Sequence, residues 1–327
     1  MAEPLVSIAD LKVHFTVGRT MFSPGTVVRA VDGVSFDVGR GEVLGLVGES
    51  GSGKTTLGRS ILRLVEPTSG SVRFEGEEVT TLPPSRLKRL RSRMQIIFQD
   101  PYASLNPRMS VGQTLSEALE LHAIGTRADR AERVGDLLEQ VGLPRAVAQR
   151  FPHEFSGGQR QRIGIARALA VNPGFIVADE PVSALDVSIQ AQIINLLQDL
   201  RQELGLSILF IGHDLSVIEF LCDRVVVLYL GRIMETATAA DLYANPRHPY
   251  TRALLDAAPV PDPRKRRERI TLKGDLPSPS APPSGCVFRT RCPFAIAACA
   301  ETVPPLETVG ARHQVACIRA GELDLTE

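Results

Sequence analysis

The stretch GESGSGKTT, which begins at residue 48, combines three glycines with a lysine and two threonines. Its spacing matches G-x-x-x-x-G-K-[ST], in which backbone N–H groups turn inward around phosphate oxygens. In this pattern Lys54 places a positive charge on the β and γ phosphates, and the Thr55 hydroxyl binds Mg²⁺. The apolar run VLGLV before it predicts a buried strand and the residues after it a helix, as the pattern requires; a flexible glycine-serine turn is the alternative. We predict a nucleotide-phosphate site formed by Gly48, Glu49, Ser50, Gly51, Ser52, Gly53, Lys54, Thr55 and Thr56.

A second glycine-rich segment, FSGGQRQR, precedes a predicted helix, IGIARALA. A helix that begins at Ser-Gly-Gly presents free backbone N–H groups and the positive end of its dipole, so it can bind an anion. The residues concerned are Ser156, Gly157, Gly158 and Gln159. The chain therefore has two candidate phosphate cradles, about a hundred residues apart.

Polar side chains follow three apolar runs that read as buried strands. Asp179 and Glu180 follow FIVA, Gln99 follows MQIIF, and His213 follows SILFIG. At the carboxyl ends of strands in an open α/β sheet, such side chains reach the ligand crevice. We expect Asp179 to hold Mg²⁺ and Glu180 to polarise the water that attacks the γ phosphate. For an isolated acidic pair or histidine, a solvated loop or turn is the ordinary interpretation.

The pattern of apolar residues predicts the elements that position these groups. Alternation in LVSIADLKVHFTV, AVDGVSFDV and GSVRFEGEEV favours short antiparallel strands. The unbroken apolar runs before the polar groups favour a parallel sheet that helices cover on both faces. Between Asp100 and Glu154 apolar residues recur every three or four positions, which predicts an all-helical insert. The fold class predicted is α/β.

Composition restricts the functional classes. The 327 residues include 37 basic and 37 acidic ones, so no net field recruits nucleic acid or an anionic membrane. The first residues do not read as a secretory signal, and charges interrupt every apolar run before the roughly 20 residues of a spanning helix. We expect a soluble, cytosolic chain. The basic run RKRRER at residues 264–269 reads as part of a solvated linker.

The motifs GESGSGKTT, Gln99, FSGGQRQR, FIVADEP, SALD and His213 occur in the order and spacing of an ABC-type ATPase, which the chain resembles over residues 5–235. The resemblance implies a P-loop (RecA-like) core with an antiparallel β subdomain and an inserted helical subdomain at about residues 100–165. It also implies that two such domains pair head to tail, so that Ser156, Gly157, Gly158 and Gln159 complete the partner's site. The resemblance further implies that Gln99 contacts Mg²⁺ and the attacking water and that His213 contacts the γ phosphate. It places Asp186 at the interface between the two domains. Phe15 is the implied adenine contact, and Phe22 is the alternative.

Several segments resemble in sequence the ATPase subunits of oligopeptide, dipeptide and nickel importers, among them VSALDVSIQAQ and NPRHPYTRALL. The resemblance is to the second of the two ATPase subunits in those systems. This implies an ATPase domain at 1–238 and an importer extension at 239–327. It also implies a heterodimer with a related sister ATPase on the cytoplasmic face of the membrane. This heterodimer would lie beneath two permeases, which the segment DPYASLNPRMS would contact. A secreted solute-binding protein would deliver the solute to the permeases. A soluble ABC-type ATPase of DNA repair or translation is the competing prediction.

Four of the five cysteines lie in the last 42 residues. A cytosolic chain rarely keeps disulfides, so four close thiols suggest a metal or cluster. The spacing contains no C-x₂₋₄-C zinc knuckle and no ferredoxin run, so zinc, a cluster and plain thiols all stay open. The importer resemblance implies a [4Fe-4S] cluster held by Cys286, Cys292, Cys299 and Cys317. Cys222 reads as a small core residue.

Overall fold

A computed structural model of the chain describes residues 3–18, 20, 25–257, 272 and 274–325. The rival adenine contact Phe22 and the basic run at 264–269 lie outside the described residues. The chain divides into two compact units, the first made of Met1–Val38, Val43–Thr80 and Gly212–Glu327 and the second of Gly39–Glu42 and Thr81–Ile211.

Strands and helices follow one another along the described chain, and they alternate singly from residue 157 to residue 229. In chain order they are β1 (Val6–Val17), β2 (Thr26–Val38), β3 (Val43–Val47), α1 (Lys54–Ile61), β4 (Ser69–Phe74), β5 (Glu77–Glu78), α2 (Pro84–Arg91), β6 (Met94–Ile97), α3 (Val111–Leu121), α4 (Arg127–Gln140), 3₁₀ turns at Arg145–Gln149 and Pro152–Glu154, α5 (Gly157–Leu169), β7 (Phe175–Asp179), α6 (Val187–Leu204), β8 (Ser207–Ile211), α7 (Leu215–Leu221), β9 (Arg224–Tyr229), β10 (Arg232–Thr238), α8 (Ala239–Ala244), α9 (Pro249–Ala257), α10 (Ala298–Glu301), β11 (Glu307–Gly310) and β12 (His313–Val315).

The first unit contains antiparallel and mixed sheet. Strands β2, β1, β4 and β5 form an antiparallel sheet in that order, as the alternating segments predict. A second set runs β11-β12-β10-β9-β3, in which β3 and β9 are parallel and the others antiparallel. Every residue of β3 is buried, as its unbroken apolar sequence predicts.

The second unit places three parallel strands, β8, β7 and β6, beside the predicted helical segment. All residues of β7 and β8 are buried, which explains their unbroken apolar sequences. Helices α3, α4 and α5 are preceded by the N-cap residues Ser110, Thr126 and Ser156, and each of these residues forms a capping box with the residue three positions later. These caps satisfy backbone N–H groups that a helix start leaves open, so they fix where the helices begin.

The segment that the sequence assigns to an extension, from residue 239 onward, lies within the first unit. Strand β12 pairs with β10, and the buried carboxylate of Glu235 on β10 accepts hydrogen bonds from the backbone N–H groups of Arg247 and His248. His313 of β12 lies 2.7 Å from the same carboxylate. Buried polar groups are tolerated only when paired in this way, so Glu235 ties the extension to the sheet. Within the described part of the chain, no helix is both long and apolar enough to cross a membrane.

Two leucines of α3 test the helical core. Leu119 is fully buried, whereas Leu121, two residues later, is 58% exposed. We expect Leu119→Ala to lower the free energy of unfolding by about 2 to 5 kcal/mol, because it leaves a cavity. Leu121→Ala should change it by less than about 0.5 kcal/mol. Urea denaturation followed by circular dichroism checks both, and equal losses would contradict the packing of α3.

Candidate nucleotide site

The phosphate loop turns sharply between β3 and α1 in the first unit. Gly48 has φ +154° and Gly53 has φ +104°, values that other residues rarely adopt. A Cβ at Gly48 would lie 2.1 Å from the carbonyl oxygen of Leu228, and one at Gly53 would lie 2.1 Å from that of Ala30. The loop can therefore follow this path only with glycine at both positions.

Lys54 begins α1 beneath this loop and is almost fully buried. Its ammonium group donates to the carbonyl oxygens of Gly48, at 2.7 Å, and Glu49, at 3.0 Å. The lysine is thus held within the loop that it is predicted to serve. The hydroxyl of Ser52 is buried and has no hydrogen-bond partner among the described residues, as suits a loop that a polar ligand completes.

Two residues of the extension contact the start of the loop, and sequence reasoning did not find them. The phenol oxygen of Tyr250, on α9, accepts a hydrogen bond of 2.8 Å from the backbone N–H of Glu49. The guanidinium of Arg291 donates to both carboxylate oxygens of Glu49, at 2.5 and 3.0 Å. Arg291 and Glu49 are 242 positions apart, so no local pattern could have revealed the pair.

In the second unit the predicted catalytic carboxylate lies beside the predicted glutamine. The amide nitrogen of Gln99 donates to the Glu180 carboxylate at 2.8 Å. Glu180 follows β7 with φ +46°, a left-handed conformation that costs a non-glycine residue energy and is often found at functional sites. Its backbone is held by a bond from its N–H to Ile211 and by the Ser183 hydroxyl, which donates to its carbonyl. The carboxylate is therefore aimed by the backbone as well as by Gln99.

Asp179, the last residue of β7, is buried, in contrast with the partly exposed Glu180 beside it. The two acids thus have different surroundings, as their different predicted roles require.

The Ser-Gly-Gly segment forms the start of α5 in the same unit. The Ser156 hydroxyl accepts from the Gln159 N–H, and the Gln159 side chain accepts from the Ser156 N–H at 3.0 Å. A Cβ at Gly158 would lie 2.4 Å from Cγ2 of Ile189 on α6, and one at Gly157 would lie 3.3 Å from Leu185. Glycine at position 158 therefore lets α5 approach the segment that follows SALD.

Three of the remaining predicted site residues are exposed, whereas Thr55 and Thr56 on α1 are half-buried. Asp186 precedes α6 and makes no side-chain capping bond, while the next residue, Val187, is 81% exposed. His213 is exposed two residues beyond β8. Phe15 is 40% exposed on β1. Exposure fits contact with a ligand or a partner, and their roles stay predictions.

The four cysteines of the extension line one small cavity of about 20 Å³, next to His248 and Phe288. Burial raises the pKa of Cys286 and Cys317 and raises that of Cys292 to about 11, so these thiols are neutral as arranged. The donor set suits a soft metal or cluster. Among the described residues, however, no group of three or more His, Cys, Asp or Glu side chains could hold a metal ion. Cys222 is buried, and its sulfur would lie 3.0 Å from a Cβ at Gly45, as its predicted core position requires.

Comparison with known proteins identifies the family. The sequence matches the ABC transporter family over residues 31–183 and the "Oligopeptide/dipeptide transporter, C-terminal region" over residues 234–299. It is 62% identical to a putative peptide import ATP-binding protein of Brucella ovis over 97% of this chain and 98% of that protein. It is 52% identical to the oligopeptide transport ATP-binding protein OppF of Escherichia coli over 98% and 97% of the two chains.

Solved structures agree with this assignment. The dimeric ATP-binding cassette MJ0796, bound to ADP and inorganic phosphate, has a TM-score of 0.64 and 28% identity, and it covers 72% of this chain and 98% of its own. CbiO1 of Clostridium perfringens, part of the transporter complex cbiONQ, has a TM-score of 0.64 and 27% identity, with 74% and 92% covered. The chain belongs to the ATP-binding proteins of the ABC transporter family, in the group that carries the oligopeptide/dipeptide transporter C-terminal region. The predicted family, the α/β P-loop ATPase fold and the ATPase class are confirmed, and a transporter is favoured over an ATPase of DNA repair or translation.

Two glycines of α5 test the tight approach to α6. Gly158→Ala should lower the free energy of unfolding by about 1 to 3 kcal/mol, because the new Cβ would meet Ile189. Gly164→Ala is the matched control: its Cβ meets nothing within 4 Å, so the better helix former should add about 0.5 to 1 kcal/mol. Ile189→Ala should restore part of the loss in Gly158→Ala. Urea unfolding measures all three, and a neutral Gly158→Ala would refute the close contact.

Proposed function

We propose that this protein is the ATP-hydrolysing subunit of an importer for oligopeptides or dipeptides, with nickel or related solutes as the alternative cargo. The hydrogen bond between Gln99 and the strained Glu180 carries the hydrolytic part of the proposal, because it holds a carboxylate ready to receive a proton from water. The peptide cargo is supported by relatives that match nearly the whole chain and are named for peptide import.

In the proposed reaction the phosphate loop holds ATP, and the Lys54 ammonium neutralises charge on its terminal phosphates. Glu180 accepts a proton from the attacking water, which Gln99 helps to place, and His213 contacts the γ phosphate. Thr55, Asp179 and Gln99 are the proposed ligands of Mg²⁺, which supplies charge neutralisation on the phosphates when bound. We propose that these residues act on one nucleotide, as family membership supports, and that Phe15 contacts its adenine.

Catalysis in this proposal requires a pair of ATPase subunits. Ser156, Gly157, Gly158 and Gln159 would contact the nucleotide held by a sister subunit, and Asp186 would lie at the seam. The exposed start of α5 and the exposed Val187 support a partner surface here. The related cassette MJ0796 is described as dimeric, which supports pairing, and a related but different sister subunit is our specific proposal.

We also propose attachment to two permeases at the cytoplasmic face of the membrane, with a secreted solute-binding protein delivering cargo. The loop after Gln99 is the proposed contact surface. Tyr102 in this loop is 56% exposed, and the Arg160 guanidinium on α5 lies 4.7 Å from the centre of its ring. An exposed aromatic ring that rests on α5 suits a surface that transmits permease movement to the start of that helix.

For the extension we propose a structural [4Fe-4S] cluster held by Cys286, Cys292, Cys299 and Cys317, with zinc as the alternative. The support is that all four thiols line one cavity, although they come from separate turns of the chain. A cation there would offset the burial that now disfavours the thiolates.

Reconstituted transport tests the function. In proteoliposomes that contain both permeases, both ATPases and the binding protein, ATP should drive uptake of a labelled peptide. Glu180→Gln should keep nucleotide affinity but slow hydrolysis and uptake by about 10²- to 10⁴-fold, the usual size of a general-base contribution. Glu203→Gln, an exposed change on α6, is the control and should leave both rates unchanged. Full turnover in Glu180→Gln would remove Glu180 from this role, and ATP hydrolysis without peptide uptake would overturn the cargo.

Metal content tests the cluster. Protein purified without oxygen should contain about four iron and four sulfide per chain, with a broad visible absorbance. Cys292→Ser should lose most of the iron, whereas Cys222→Ser, outside the cavity, should keep it. Zinc in place of iron would select the alternative, and full iron in Cys292→Ser would refute the ligand assignment.

A further inference from the structure

Arg291 forms a bidentate ion pair with a residue of the phosphate loop. Its side chain is only 6% exposed, and that of Glu49 is 29% exposed. An arginine guanidinium keeps its charge at every pH that a folded protein meets. A planar guanidinium that meets both oxygens of a carboxylate fixes its orientation as well as its charge.

The surroundings of Arg291 hold it in place. Its guanidinium lies 5.9 Å from the centre of the Tyr229 ring, and the rings of Tyr229, Tyr250 and Phe288 contact one another at centroid distances of 4.8 to 5.3 Å. Tyr229, Tyr250 and Phe288 are fully buried. The Arg291 side chain that pairs with Glu49 thus packs against a buried aromatic cluster, and two of the three rings of this cluster belong to the extension.

Three separate groups hold Glu49. The Tyr250 oxygen accepts a hydrogen bond from the backbone N–H of Glu49. The Arg291 guanidinium donates to the Glu49 carboxylate, and the Lys54 ammonium donates to the Glu49 carbonyl oxygen. Because Lys54 and Arg291 bind the same residue, a displacement of Glu49 would also displace one of the two carbonyls that position the lysine.

The pair also has an electrostatic consequence. A carboxylate within a loop that receives phosphates repels them, and this repulsion grows where water is excluded. The guanidinium of Arg291 neutralises that charge. An unpaired Glu49 would therefore oppose nucleotide binding even if the loop kept its shape.

We propose that Arg291 and Tyr250 are positioning residues for the phosphate loop, so that the C-terminal extension forms part of the nucleotide site. Arg291 acts through Glu49, by fixing the start of the loop and by cancelling a negative charge beside the phosphates. This inference rests on the proposed nucleotide site at GESGSGKTT.

Calorimetric titration of the full chain with Mg-ADP tests the proposal. Arg291→Met should raise the Kd about tenfold, a change typical of coupling between two sites. Arg291→Lys, which keeps the charge but not the fork, should give an intermediate Kd. The double variant Glu49→Gln with Arg291→Met should recover a large part of the affinity, because it removes the unpaired carboxylate. Arg73→Met, an exposed ion-pair partner on β4, is the control and should bind like the unchanged protein.

The outcomes separate this inference from the function on which it rests. If Arg291→Met lowers the melting temperature but leaves the Kd unchanged, the pair is structural only and the proposal is wrong. If Arg291→Met does not fold, Arg291→Lys decides in its place, and an unchanged Kd in that variant refutes the proposal. Lys54→Ala should abolish binding; if it binds Mg-ADP as well as the unchanged chain, the nucleotide site itself is wrong.

Discussion

The whole arrangement depends on how closely the backbone of the phosphate loop approaches its neighbours. Gly48 and Gly53 each face a carbonyl oxygen at a distance where no side-chain atom fits. This closeness brings the loop carbonyls within reach of the Lys54 ammonium, so the lysine is placed by backbone atoms that glycine alone permits. The proposed binding of ATP therefore depends on the backbone turn at these two glycines.

The residues proposed for hydrolysis are positioned in a different way. Glu180 is positioned by an unfavourable backbone conformation. Its N–H donates to the Ile211 carbonyl, and its own carbonyl accepts from the Ser183 hydroxyl. A carboxylate fixed at its own backbone needs little reorganisation when a water must be deprotonated. Lys54 is thus fixed by backbone carbonyls of the loop, and Glu180 by its own backbone conformation and by Gln99.

Much of this could be predicted from the sequence, because local spacing carries the information. Glycine, lysine and threonine at fixed intervals define the loop, and unbroken apolar runs define β3, β7 and β8. The capping serine of α5 also lies in a short pattern, Ser156 to Gln159. In contrast, the contacts of Tyr250 and Arg291 with Glu49 join distant segments, and no periodicity marks them. Such contacts depend on how β10 and β12 pair and on how the aromatic rings pack, which the sequence does not state locally.

The aromatic cluster around Tyr229 limits how far the chain can be shortened. A version that stopped after residue 238 would keep every ATPase motif of the sequence, yet it would lack Tyr250, Phe288 and the guanidinium that meets Glu49. The newly bared face around Tyr229 would favour aggregation. The smallest useful protein for enzymology or crystallisation is therefore larger than its catalytic motifs imply. Low ATPase activity in a truncated chain would reflect a damaged nucleotide site and would not show that the extension regulates the enzyme.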